Sequence, residues 1–215
     1  MAHENALGVQ APYFFLSYHR TPSDGSNGAN SHVVKLYKDL CRHIRHMTDL
    51  SGTVAPGYLD QNMPAGIAWR ATVKGALATC QTFVALYEPR YFHSEFCGYE
   101  WACFEARQAE ARPPGSVAYG AIIPVLMAGE KSLPTPLPRC AAELQYSDPR
   151  LPGAYIEHGI WGLQYTSLTA YRKSTLAIAG RIVEVAKSTL IAPCSTDVFD
   201  DGADAFADWR QEREG

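Results

Sequence analysis

Short apolar runs alternate along this chain with stretches in which apolar positions recur every three or four residues, the pattern of an α/β fold. Runs that read as strands lie at Pro12 to Tyr18, Thr53 to Leu59, Thr82 to Tyr87, Tyr119 to Met127 and Ile160 to Thr166. Several are apolar on both faces, as expected for parallel strands covered by helices on either side. Between the first two, Val33, Leu36, Tyr37, Leu40, Ile44 and Met47 share one helical face, while Lys38, Arg42 and Arg45 lie off it. Further helices are predicted from Ile67 to Cys80, Ser94 to Ala111 and Tyr171 to Leu190, with Ile178, Ile182 and Val185 repeating on one side of the last. Five parallel strands joined by right-handed crossovers follow.

Two regions break this rhythm. Between Lys131 and Tyr155 the prolines at 134, 136, 138, 149 and 152 exclude a long helix and predict an irregular fourth crossover. From Asp197 onward seven acidic residues outweigh two basic ones. Phe199, Phe206 and Trp209 are spaced there as in a short amphipathic helix, but so charged an end also reads as a linker. The expected organisation is an N-terminal tail (1–10), one domain (11–190) and an acidic tail or linker (191–215).

Composition narrows the function classes. The 215 residues carry 47% hydrophobic and 19% charged side chains and a formal charge of −3, an ordinary globular balance with no basic patch to hold nucleic acid. The longest apolar stretch, Tyr119 to Gly129, is too short to cross a bilayer, and the first residues lack the basic and apolar regions of a signal peptide. A cytoplasmic protein without membrane or nucleic-acid contact is expected. Six cysteines, at 41, 80, 97, 103, 140 and 194, contain no C-x-x-C pair, which argues for reduced thiols and against structural zinc. His43 and His46 form an H-x-x-H, but no third ligand is evident and Arg42 and Arg45 would repel a cation, so no metal is expected. There is no G-x-G-x-x-G, no P-loop and no G-x-S-x-G, and the third strand ends Leu86-Tyr87-Glu88-Pro89 without the acceptor aspartate of a response regulator.

Three segments carry a family resemblance. Tyr91-Phe92-His93-Ser94 followed by Phe96-Cys97-Gly98-Tyr99-Glu100 resembles the Y-x-x-S-x-W-C-x-x-E segment of TIR domains. Tyr13-Phe14-Phe15-Leu16-Ser17-Tyr18 resembles their opening strand. Gly57-Tyr58-Leu59-Asp60 through Pro64-Ala65-Gly66 resembles their second strand and BB loop. Phe-Phe-Leu-Ser-Tyr together with Cys-Gly-Tyr-Glu-Trp is most similar to the FxsC-type bacterial TIR-like proteins. The resemblance implies a flavodoxin-like five-stranded parallel sheet in the order 2-1-3-4-5, flanked by helices.

With that order the carboxyl ends of the first and third strands share a crevice at the topological switch point, where ligands of open α/β sheets bind. The crevice collects Ser17, Tyr18, His19 and Arg20, then Asp60 to Trp69, then Glu88 to Glu100. Enzymatic TIR domains cleave the nicotinamide-ribose bond of NAD, and the resemblance puts their catalytic glutamate at Glu100, with NAD as substrate and no separate cofactor. Ser94 matches the motif, and Phe96 stands where the family has tryptophan, an aromatic to set against nicotinamide. Arg20, with Gly25 and Gly28 in the small polar loop after it, offers contacts to a diphosphate, and Tyr18 or His19 could stack or hydrogen-bond. The bland readings are a surface carboxylate at a helix start for Glu100, a solvated charge for Arg20 and a flexible loop. The resemblance also implies head-to-tail assembly through the BB loop, with Asp60 and Trp69 as assembly residues, and a role in bacterial defence or signalling with a sensor domain or partner protein. The competing expectation is a module that signals through TIR–TIR contacts without catalysis.

Overall fold

The computed structural model describes residues 11–21, 30–60, 67–111, 120–200 and 202–214, with the backbone alone at 67–70 and 214. Strands β1 (Phe14–Ser17), β3 (Thr82–Tyr87) and β4 (Ile122–Leu126) are buried at every position, and β2 (Gly57–Leu59) is the outermost strand on one side. All pairings are parallel, in the order β2-β1-β3-β4. Successive side chains of a strand point to opposite faces, and Phe14 and Phe15 define the layers. Phe14 lies 5.8 Å from Tyr37 on α1 (Ser31–Met47). Phe15 stacks on Phe83, which packs in turn against Trp101 and Phe104 of α3 (Glu95–Glu110).

Each helical layer follows from its apolar spacing. On α1, Val33, Leu36, Leu40 and Ile44 are buried, and the helix pairs with the long α6 (Leu168–Thr189). At that seam Asp39 accepts hydrogen bonds from Lys35 and Arg42 on its own helix and from the Tyr171 hydroxyl on α6. These three donors hold its carboxyl below the usual carboxylate range despite burial. On the other layer, α2 (Ile67–Thr79) packs on α3. Arg107 of α3, fully buried, donates to the Leu77 and Cys80 carbonyls at the end of α2 and to the Ile191 and Ala192 carbonyls after α6. It closes the helix C-terminus whose carbonyls have no intrahelical donor.

The predicted irregular crossover contains a 3-10 turn (Glu130–Ser132) and the four-residue α4 (Arg139–Ala142). The fifth expected strand is absent: among the described residues the sheet has four, and Ile160 to Thr166 forms the end of α5 (Ala154–Thr166). Tyr155, Gly159, Ile160 and Leu163 are buried there, a helical interval, while Trp161 and Tyr165 face solvent. Gly159, at φ 62°, breaks α5 where it meets β4. A side chain at that position would strike the Met127 and Ala128 backbone, and Trp161 N donates to Met127 O just beyond.

The free edge of β4 adds a second reason. Phe83 N donates to Ala121 O and Met127 N to Tyr87 O, so odd-numbered residues serve the β3 ladder and 122, 124 and 126 face outward. Pro124 has no N–H to offer a further strand, and the Leu126 N–H is taken by the Tyr155 hydroxyl at 2.7 Å. A cleft of about 510 Å³ lies beside this edge, lined in part by Tyr146, Leu151, Ile178 and Arg181.

The segment past residue 190, read from the sequence as a tail or linker, packs on the domain. Phe199, in a 3-10 turn (Thr196–Phe199), Phe206, and Trp209 on α7 (Ala207–Glu214) are all buried.

Candidate functional site

The end of β1 and the start of α3 meet at one hydrogen-bonded chain of side chains. Ser17, the last residue of β1, donates its hydroxyl to Glu100 Oε2 at 2.6 Å, and the Tyr91 hydroxyl lies 3.0 Å from the same Ser17 oxygen. A serine has one proton to give. With that proton directed at the Glu100 carboxylate, the phenol donates to Ser17, and the order runs Tyr91 to Ser17 to Glu100. All three are buried: Glu100 is 6% exposed, Ser17 1% and Tyr91 0%.

Local sequence explains how α3 delivers the carboxylate. Ser94 caps the helix by accepting from Cys97 N at 3.3 Å, which starts the helix at Glu95 and turns Cys97, Glu100, Trp101 and Phe104 inward. Burial pushes the Glu100 carboxyl up to about 8; the Ser17 hydrogen bond opposes that shift and the negative charge of Asp60 adds to it. Desolvation therefore wins over the hydrogen bond, and Glu100 is poised to change charge near neutral pH. Tyr18 and Tyr58 border the same charges. Burial raises each to about 12, with Asp60 and Glu100 adding to the shift.

The sequence-predicted residues divide by placement. Ser17 and Glu100 are in direct contact. Tyr18 donates to the Asp60 carbonyl at 2.9 Å, tying the end of β1 to the end of β2 beside them. His19 is half-buried with Nδ1 3.8 Å from Glu88 Oε1, and burial together with Arg90 lowers its pKa, favouring the neutral ring. Arg20 is exposed at the rim. Ser94 is engaged as the helix cap. Phe96 is 60% exposed, on the surface rather than among the rings around Glu100. The Trp69 side chain, the BB loop at 61–66, Gly25, Gly28 and the tail at 1–10 lie outside the described residues.

Tyr91 is the residue that site reasoning from sequence omitted. It opens the Y-x-x-S segment, and an aromatic with a hydroxyl at a fixed interval before the helix cap was the available signal. Its partner, 74 residues away, was not.

A parallel α/β sheet with a buried carboxylate at the switch point defines a class of crevice-bearing domains. Residues 14–155, well over half of the chain, match the family described as TIR domain, and the chain belongs to that family. TIR domains cleave NAD in some proteins and act only as signalling adaptors in others, and they commonly self-associate. No curated protein and no solved structure matches the chain. No helix among the described residues is long and apolar enough to cross a membrane.

Proposed function

We propose that this domain cleaves the bond between nicotinamide and ribose in NAD, with Glu100 as the catalytic carboxylate, releasing nicotinamide and ADP-ribose or a cyclic ADP-ribose. The observation that carries this reading is a buried glutamate at the sheet's carboxyl edge, titrating near neutrality and held by Ser17.

The chemistry asks little of the protein beyond that group. The pyridinium nitrogen already bears a positive charge, so the C1′–N bond breaks with its electron pair leaving on neutral nicotinamide, and no general acid is required for the leaving group. The sugar is left with oxocarbenium-like charge, which an anionic Glu100 stabilises at close range in a site of low dielectric. Water then adds to C1′ and loses a proton to give ADP-ribose, or a nucleophile on the same molecule closes the cycle. Ser17, Tyr18, His19 and Arg20 line the approach from β1, with Arg20 suited to a diphosphate oxygen. Phe96 and Ser94 sit at the α3 start, and the Phe96 ring is the aromatic we assign to the nicotinamide. Asp60 and Trp69 are the proposed assembly residues, and the setting we infer is a bacterial, cytoplasmic defence or signalling protein of the FxsC type acting as a homo-oligomer.

The ionised carboxylate is the active form, so turnover rises with pH through the Glu100 titration near 8. The test is nicotinamide release from NAD at high protein concentration with a crowding agent, wild type beside Glu100→Gln. We expect release that climbs between pH 6.5 and 8.5 and falls by at least about a hundredfold in the variant. Full turnover by a folded Glu100→Gln protein would sink the mechanism. Phe96 in place of the motif tryptophan favours the second reading, an adaptor working through TIR–TIR contacts. That reading predicts no release from either protein at any concentration.

A further inference from the structure

Residues 202–213 lie across the segment that carries Glu100, and they fall outside the 14–155 span of the family match. Ala205 N donates to the Gly98 carbonyl at 3.2 Å, and a side chain at Gly98 would run into the Asp204 carboxylate. Asp204 accepts from Phe206 N at 2.9 Å and pairs with Arg210, whose other terminal nitrogen donates to the Phe92 carbonyl at 3.2 Å. Trp209 covers Phe92 and His93 and donates to the Pro136 carbonyl. These contacts seat Phe206, fully buried, with its ring centroid 5.8 Å from Tyr91, 5.4 Å from Phe92 and 5.6 Å from Trp101. Phe206 thus touches both the ring that begins the hydroxyl chain and the neighbour of Glu100 on α3.

We propose that Phe206 is a positioning residue for Glu100: it fixes the Tyr91 ring so that the phenol donates to Ser17 and Ser17 donates to the carboxylate. The proposal deepens the reading of Glu100 as the acting group and rests on it. An O–H···O bond weakens steeply with angle, and the Tyr91 ring is fixed by Tyr87, Phe92 and Phe206. Without Phe206 one side of the ring faces a void, the phenol swings away from Ser17, and the carboxylate loses the second donor of its chain while remaining buried. The titratable groups around Glu100 are Tyr91, Cys97 and Cys103 on its own side, Tyr18 after β1, and Tyr58 and Asp60 at the end of β2. Burial keeps the phenols and thiols neutral, and Asp60 is the neighbouring charge that adds to the Glu100 shift.

The experiment follows the Glu100 carboxyl itself, by carbon NMR of the full chain labelled at glutamate side-chain carboxyls, its signal assigned through its loss in Glu100→Gln. We expect the titration midpoint to move upward by similar amounts in Phe206→Ala and Tyr91→Phe, with the ionised fraction at pH 7 falling about two- to fourfold, the effect of losing the hydroxyl that polarises the Ser17 bond to the carboxylate. Phe206→Leu, which keeps most of the volume, should restore the wild-type midpoint. The double variant should move no further than Tyr91→Phe alone. A Phe206→Ala protein that melts at lower temperature with the Glu100 midpoint unmoved would reduce Phe206 to core filling and overturn the proposal; Phe206→Val gives the same comparison if the alanine variant does not fold. Because the titration needs no turnover, a wild type that fails to cleave NAD yet shows the coupling refutes the enzyme reading alone.

Discussion

At the scale of single residues, Glu100 sets function against stability. Its carboxyl titrates near 4.5 in the unfolded chain and near 8 in the fold, so the native state holds a proton that the unfolded state has released anywhere between those values. Unfolding then releases a proton, and stability falls as pH rises through the window: whatever the protonated glutamate contributes is complete below about 4.5 and gone above about 8. Glu100→Gln keeps a neutral amide within reach of Ser17 and removes the titration. The variant should therefore be more stable than wild type by about 2–4 kcal/mol at pH 9 and within about 1 kcal/mol of it at pH 5. Urea unfolding at the two pH values measures both numbers. Equal stability differences at pH 5 and pH 9 would show that Glu100 titrates normally and would remove the electrostatic case for its role. None of this was visible in the residues themselves. The motif marked Glu100 as a candidate, but its burial and its bond to Ser17, 83 positions away, come from the pairing of β1 with β3.

At the scale of elements, β1, β3 and β4 were legible because a short run that is apolar on both faces has few places to go other than the middle of a parallel sheet. The misread element was Ile160 to Thr166. Its β-branched and aromatic residues match strand propensity, while its buried positions match a helix, and propensity gives way to the face that tertiary contact buries. What keeps a fifth strand off the sheet is the chemistry of the β4 edge. Two outward positions that would receive a neighbour are closed, one by the ring of Pro124 and one by the Tyr155 hydroxyl on Leu126 N–H. Tyr155→Phe leaves that buried N–H without a partner and should cost about 1–3 kcal/mol. If Tyr155→Phe unfolds at the wild-type denaturant concentration, the Leu126 N–H does not depend on this hydroxyl.

At the scale of the whole molecule, the segment past residue 190 behaves as part of the core. Arg107 gathers the end of α2 and the chain leaving α6 around one buried guanidinium, and Lys74 on α2 pairs with Asp200 further along. The acidic residues that made this region read as a linker are mostly at its surface, while Asp204 is bound to Arg210, and Phe199, Phe206 and Trp209 point inward. Amphipathic spacing was legible; the surface it meets, around Phe92 and Trp101 a hundred residues earlier, was not, because only the folded chain assembles it. Three buried aromatics at about 1.5–3 kcal/mol each amount to roughly 5–9 kcal/mol, comparable to the entire stability of an ordinary domain. Removing residues 196 to 215 should therefore abolish the cooperative thermal transition and expose the Tyr91, Phe92 and Trp101 rings to solvent, read as a red shift in tryptophan emission. A truncated chain that melted within a few degrees of the full one would make the segment an appendage. The Glu100 site would then owe its geometry to β1 and α3 alone, and the titration midpoint of Glu100 in that shorter chain should equal the full-length value.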